Sequence, residues 1–526
     1  SPFPMTPRHQ RGPTNRMTGI TNTVAPGTIY LVGAGPGDPG LISLRGVQCL
    51  ERADLVLYDY LVNPVIVEHA WPEAEFICLG HPKRGRALPP DEITTLMVNE
   101  ARKGRTVVRL KGGDGSVFGR GADETEALRA AGVPFEIVPG TTTGLAVAAY
   151  CEIPITHRED ASAVALVAGK EHHSKPVSHL DYEALARFPG TLVLYMGVGT
   201  VADWSQALIA HGKPPETPVA IVRWSTRAQQ QTARCTLATV ADVVQRHRVR
   251  PPAVFIIGKV VDRAPERSWF EKRPLFGTRV LVAGSYGTAG PLRDRLAALG
   301  AEVLARPAIH IGDPPDWAPA DTALERLDQY DWVVFSSGNG VDALMRRILS
   351  LGADARRLST VKLAAMGAGT ADRLAAYHLR ADMVPEEFVA ESLAQALLED
   401  APGRRFLLAR GTRGRGVLAE ALERAGARVD QVAVYSSTDV DEADPDVAEA
   451  LSAGEIDWIA VTSSATARSL VQLYGDGLRS ARFASIGHIT SQTLRSLGYE
   501  PDVEAAPHTT AAMVDAILEA QRTTAP

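Results

Sequence analysis

Arg109-Leu-Lys-Gly-Gly-Asp-Gly-Ser-Val-Phe-Gly-Arg-Gly121 lies between an apolar run over 106–110 and a helical pattern over 122–131. Strand, glycine turn and helix in that order form the unit with which α/β proteins hold ligands beyond the carboxyl end of a sheet. Gly112 and Gly113 let the backbone approach a ligand that a Cβ would hold off. Asp114 adds a fixed acceptor, and Arg109, Lys111 and Arg120 set positive charge on the same rim. The turn suits one ligand at close approach and a second, anionic one beside it.

The same rhythm appears upstream. A strand over 28–32 runs into Gly33-Ala-Gly-Pro-Gly-Asp38, followed by a helical pattern over 44–53 and a strand over 55–58. That βαβ order implies a parallel sheet. The turn departs from the dinucleotide fingerprint G-x-G-x-x-G, because Pro36 and Asp38 stiffen it and no helix follows directly. It is open to two readings, a tight connection or a ligand contact. Asp59, just past the strand end, is either a general base in the same crevice or a turn acceptor. The loop Gly80-His-Pro-Lys-Arg-Gly-Arg86 is either a solvated run or a cradle for a polycarboxylate.

Downstream, a strand over 135–138 ends in Pro139-Gly-Thr-Thr-Thr-Gly144. Its hydroxyls suit a small polar ligand, and equally the cap of a helix over 145–149. Strands over 163–168, 191–196, 219–222 and 253–260 build a second α/β lobe. Glu171, His172 and His173 read as solvated surface, with no acid or thiol at metal-ligand spacing. A charged, proline-bearing stretch over 263–277 reads as a linker. Strands then resume at 279–283, 332–335, 362–366, 405–409, 458–462 and 483–486.

This second half echoes itself. Val334-Phe-Ser-Ser-Gly-Asn339 is answered by Val461-Thr-Ser-Ser-Ala465, and Met366-Gly-Ala-Gly-Thr370 by Ile486-Gly-His-Ile-Thr490. Each is a strand, a hydroxyl- and glycine-rich turn and a helix. Two such lobes with facing turns would form a cleft whose helix N-termini can hold carboxylates; the other reading is ordinary N-capped βα turns.

The totals bound these readings. A chain of 526 residues needs two to four cores. A net charge of -6 gives no global attraction to nucleic acid or an acidic membrane, so anions must be held by local basic clusters. Cys49, Cys78, Cys151 and Cys235 form no CxxC pair, which fits a reducing cytoplasm rather than a disulfide or zinc framework. No apolar run approaches the ~20 residues that span a bilayer. Residues 1–27 read as a disordered leader.

The first half, 28–262, resembles the tetrapyrrole methylases, specifically the uroporphyrinogen-III C-methyltransferases. The matching pieces are Val32-Gly-Ala-Gly-Pro-Gly-Asp38, Leu55-Val-Leu-Tyr-Asp59, Val108-Arg-Leu-Lys-Gly-Gly-Asp114 with Phe118-Gly-Arg-Gly121, Val138-Pro-Gly140, Ile153-Pro-Ile-Thr-His-Arg158 and Leu194-Tyr-Met-Gly197. The second half, 278–526, resembles the uroporphyrinogen-III synthases. It does so through Phe335-Ser-Ser-Gly-Asn-Gly-Val341, Met366-Gly-Ala-Gly-Thr370, Glu391-Ser-Leu393, Val434-Tyr435, Thr462-Ser-Ser464 and Ile486-Gly-His-Ile-Thr490.

The resemblance implies an α/β fold of two two-lobed modules, with lobes at about 28–140 and 141–262, then a two-lobed synthase module with one lobe discontinuous. It implies a cytoplasmic bifunctional enzyme that cyclises hydroxymethylbilane and then methylates uroporphyrinogen III twice with S-adenosyl-L-methionine, giving precorrin-2. The donor would lie against Pro36, Gly112, Gly113, Asp114, Val117, Thr142, Thr143, Met196 and Ser225. Asp59 takes the family's base position, and His81 stands where the family has Lys, with Lys83 close by. Gly115-Ser116 replaces the family's Pro-Phe. Arg109 and Lys111 would grip the substrate's carboxylates. In the synthase half Tyr435 would assist departure of the bilane hydroxyl, with Thr370, Ser463 and Thr490 lining the cleft. A homodimer through the methylase module is implied; nucleic acid, membrane, metal, NAD and iron insertion are not. The alternative is a methyltransferase for a later corrinoid with a catalytically idle, ligand-sensing second module.

Overall fold

The computed structural model describes residues 27–71, 73–80, 88–170, 180–284, 286–385, 390–413 and 416–524. They divide into two compact units. The first runs to Arg227 and from Gln231 to Glu266; the second runs from Arg267 and includes Ala228–Gln230.

The first unit holds two five-stranded sheets. β1 (Ile29–Gly33), β2 (Leu55–Asp59), β3 (Glu75–Leu79), β4 (Val107–Lys111) and β5 (Phe135–Val138) form an all-parallel sheet in the order β3-β2-β4-β1-β5. β6 (Val164–Ala168), β7 (Thr191–Tyr195), β8 (Pro218–Arg223), β9 (Gln231–Thr236) and β10 (Ala253–Ile257) form a second, in the order β6-β7-β10-β8-β9. Here only β6 and β7 run parallel.

β4 is the central strand of its sheet and is buried along its whole length. Alternation sends successive side chains to opposite faces. Val108 and Leu110 join one core, with Val32 and Val56. Val107 joins the other, with Leu128 of the helix Gly121–Ala130. Arg109 and Lys111 share the face of Val107, and are therefore directed at that helix.

In the second unit the chain changes lobes twice. β11 (Arg279–Gly284) and β12 (Glu302–Pro307) begin one lobe. β13 (Ile309–Gly312), β14 (Trp332–Phe335), β15 (Lys362–Ala365), β16 (Arg405–Gly411) and β17 (Arg428–Asp439) form the other, in the order β13-β17-β16-β14-β15. The chain then returns with β18 (Trp458–Val461), β19 (Arg482–Ser485) and β20 (Val503–Glu504), completing the order β12-β11-β18-β19-β20. The two crossings meet at Ala308, whose carbonyl accepts from Val440 N.

The stretch expected as a linker is built structure. Just before it, Lys259–Arg263 forms a 3-10 helix whose Val260 and Val261 sit in the core of the second sheet. Phe270 is buried, and Leu275 belongs to a core of the second unit. Within 263–277, the apolar residues at 270 and 275 outweigh the surrounding charge. Among the described residues no helix is long and apolar enough to cross a membrane.

Candidate functional site

A cavity of about 1450 Å³ opens in the first unit at the carboxyl ends of β1, β2 and β4, and also touches the second sheet. The sheet order explains the place: β4 and β1 lie at the centre, so the turns after them meet. Gly35 and Gly113 form an isolated bridge, with Gly113 N donating to Gly35 O at 2.8 Å. A Cβ on Gly140 would stand 2.3 Å from Gly113 O and 2.7 Å from the carbonyl carbon of Gly33. Three glycine turns are thus locked backbone against backbone. Gly112 differs, since a Cβ there would meet nothing within 4 Å. Its backbone is open to the cavity.

Of the expected site residues, Pro36, Asp59, Arg109, Lys111, Gly112, Gly113, Thr143, Met196 and Ser225 line the cavity. Asp114, Val117 and Thr142 are not in its wall. Asp114 spends both oxygens on the loops, accepting from Ser116 N at 2.7 Å and Gly140 N at 3.0 Å. Val117 packs on the core beneath. Thr142 is the N-cap residue of the helix Thr143–Tyr150 but makes no side-chain cap; its hydroxyl meets Tyr195 OH at 2.9 Å. His81, Lys83, Glu171, His172 and His173 lie outside the described residues.

Arg109 and Lys111 require a correction. They were expected as free rim cations, but each is only 4% exposed and engaged. Arg109 Nη2 donates to Asp59 Oδ1 at 2.5 Å and its Nε to Glu124 Oε1 at 3.2 Å. Lys111 Nζ donates to the same Glu124 oxygen at 2.8 Å. Burial, and then Arg109, hold the Lys111 ammonium below its ordinary pKa. Among the described residues the exposed cations in the wall are Arg102, Arg120 and Lys170.

Glu124 is the residue that sequence reasoning missed, although a signal existed. Leu128 faces Val107, so Glu124, one turn earlier, must stand over the Arg109 and Lys111 end of β4.

Two observations make this cavity the candidate ligand site. Ser225 Oγ and Glu124 Oε2 are buried without a hydrogen-bond partner, and both residues line it. Of the eight described non-glycine residues with positive φ, four line it: Phe118, Arg120, Met196 and Trp224. Such strained backbone gathers at functional sites. Met196 and Phe118 are also 49% and 43% exposed, unusual for large apolar side chains in a cavity wall.

In the second unit the two echoed turns share one geometry. Ser337 (φ -163°, ψ 160°) and Ser463 (φ -165°, ψ 160°) each cap a helix, accepting from Gly340 N and Thr466 N. Ser337 Oγ also meets Tyr435 OH at 3.1 Å. The Tyr435 ring lies against Gly411, where a Cβ would stand 2.5 Å from it. Thr370 and Thr490 occupy matching first turns of the helices Ala368–Ala376 and His488–Ser496, but at 7% and 4% exposure they are buried rather than open.

Comparison with known proteins agrees with this division. Residues 28–241 match the family of Tetrapyrrole (Corrin/Porphyrin) Methylases, and residues 290–515 match Uroporphyrinogen-III synthase HemD. The porphyrin biosynthesis protein HemD of Ruminiclostridium josui is 32% identical over 495 residues, 94% of this chain and 98% of that one. A uroporphyrinogen-III C-methyltransferase of Priestia megaterium is 45% identical over 236 residues, 45% of this chain and 99% of that one. A solved uroporphyrin-III C-methyltransferase from Thermus thermophilus, complexed with S-adenyl homocysteine, is 39% identical. It covers 45% of this chain and 93% of its own, with a TM-score of 0.39.

Proposed function

The chain belongs to the tetrapyrrole methylases through its first half and to the uroporphyrinogen-III synthase HemD family through its second, and from that premise we propose a bifunctional enzyme. The second unit cyclises hydroxymethylbilane to uroporphyrinogen III. The first unit transfers two methyl groups to that product from S-adenosyl-L-methionine, giving precorrin-2. A cytoplasmic setting and pairing of two copies through the first unit complete the reading; light scattering tests the pairing.

The observation that carries the proposal is this cavity. Its volume of about 1450 Å³ exceeds the ~300–1,000 Å³ of an ordinary small-molecule pocket. It has room for a donor and a macrocycle together. The donor's chemistry fits one part of the wall: an open backbone at Gly112, an unsatisfied Ser225 hydroxyl, and the exposed apolar side chain of Met196. The acceptor's many carboxylates fit Arg102, Arg120 and Lys170 at the rim.

A bound sulfonium supplies an electrophilic methyl group. The protein's own work is to align an electron-rich carbon with that methyl and to exclude water. In this reading Asp59 takes the proton released as the ring system rearranges. One of its oxygens is held by Arg109; among the described residues the other accepts no hydrogen bond.

For cyclisation, the spontaneous reaction already closes a ring with the wrong isomer. The second unit therefore acts by holding one conformer, with Tyr435 beside the Ser337 cap as the group that assists loss of the hydroxyl. A one-pot assay tests both halves: hydroxymethylbilane and labelled methyl donor, with product isomers resolved. Label in a type III dimethylated product is expected. Unlabelled tetrapyrrole would remove the methylase assignment, and a type I product would remove the synthase assignment.

A further inference from the structure

Four charged side chains join across one wall of the cavity, and the proposed chemistry uses only Asp59 directly. Glu124 Oε1 takes a hydrogen bond from Arg109 Nε and another from Lys111 Nζ, at 3.2 and 2.8 Å. Arg109 then presents Nη2 to Asp59 Oδ1, while its Nη1 donates to Leu110 O at 3.2 Å. All three nitrogens of the guanidinium are thereby engaged, two of them on groups other than Asp59. The side chains of Arg109, Lys111 and Glu124 are 5%, 5% and 10% exposed, against 35% for Asp59. Three members are buried support and the fourth faces the cavity.

Resting on the methyl-transfer reading, we propose that Glu124 is a positioning residue for that reaction: it clamps Arg109 and Lys111 and, through Arg109, sets the orientation and charge of the Asp59 carboxylate. A shorter or neutral residue at 124 would leave two buried cations on one face of β4 held by Asp59 alone. Asp59 would then be drawn into their compensation and away from the acceptor. Burial and the neighbouring Arg109 already hold Lys111 below its ordinary pKa, as expected where one carboxylate oxygen serves two cations. The groups around Asp59 are Arg109 and Lys111 on β4 and Glu124 on the helix. Arg120 and Asp123 are in the same wall, and β3 sets Leu79 opposite.

The test uses the full chain with supplied uroporphyrinogen III and labelled methyl donor, comparing wild type, Glu124→Gln and Lys111→Met. Removing a negative charge near Asp59 favours its ionised form. The acid limb of the kcat profile should therefore move to lower pH in Glu124→Gln, by about half a pH unit or more. Removing a positive charge in Lys111→Met should move it to higher pH. In Glu124→Gln kcat should fall about tenfold while donor affinity stays within about twofold. If Glu124→Gln fails to fold, the direction of the Lys111→Met shift decides. Acid limbs coincident with wild type in the folded variants would overturn the inference. A wild type that transfers no methyl group would overturn the functional reading instead.

Discussion

At the scale of single residues, glycines of similar appearance do different work. Gly112 was legible as a place of close approach, because a strand–turn–helix order predicts where a ligand sits. Gly140 was not legible, since its reason is contact with turns far away in sequence. A substitution pair separates the roles. Gly140→Ala must push a Cβ into Gly113 O at 2.3 Å, a backbone atom that cannot swing aside. It should lose on the order of 1–3 kcal/mol in urea unfolding, the range of an overpacked core. Gly112→Ala meets nothing within 4 Å, so melting should be unchanged while calorimetric donor affinity falls at least tenfold. Unchanged affinity would remove Gly112 from the donor site. Arg109 and Lys111 show the opposite failure: their charge was read from the sequence as a rim feature, whereas a central strand buries whatever it carries.

At the scale of elements, most of the strands that sequence reading missed share a position in their sheets. It missed β3, β9, β12, β13, β17 and β20. Five of these six are sheet edges. An edge strand is covered on fewer sides, so its sequence is diluted with polar residues, as in Gln231-Thr-Ala-Arg-Cys-Thr236 of β9. The sixth, β17, lies next to an edge and mixes Asp430, Gln431 and Ser436 into its run. Interior strands such as β14 and β18 are buried at every position and announce themselves as apolar runs.

Helix ends carry a similar lesson. Lys213 follows the helix Val201–Ala210, is 6% exposed, and donates to Ala186 O and Phe188 O at the end of the helix Tyr182–Arg187. Burial lowers its pKa. Between its folded pKa and ~10.4, the unfolded chain binds more protons than the folded one, so stability attributable to this group rises with pH. Lys213→Met removes that dependence. Its melting temperature relative to wild type should therefore be more favourable at pH 8 than at pH 10.5. A difference independent of pH would show that the ammonium is hydrated.

At the scale of the whole molecule, the two halves were legible because each repeats its own rhythm, and the echo of Ser337 in Ser463 reproduces the cap geometry to within a few degrees. What was hidden is how the second unit uses its hydroxyls. Caps engage Ser337 and Ser463 and burial takes Thr370 and Thr490, so the reactive role proposed for this unit is assigned to the partly exposed Tyr435. If the two reactions reside in separate units, they should fail separately. Asp59→Asn keeps the side-chain shape but removes the proton acceptor. It should lower methyl transfer at least a hundredfold, the scale of a lost general base, and leave cyclisation at the wild-type rate. Tyr435→Phe removes one hydroxyl facing Ser337 and adds no bulk against Gly411, so the second unit should stay folded. Cyclisation should slow about tenfold, with more of the spontaneous isomer in the product, while methylation of supplied uroporphyrinogen III is unchanged. Assaying both activities on each variant decides the matter: loss of both from either substitution would mean that the reactions share a site.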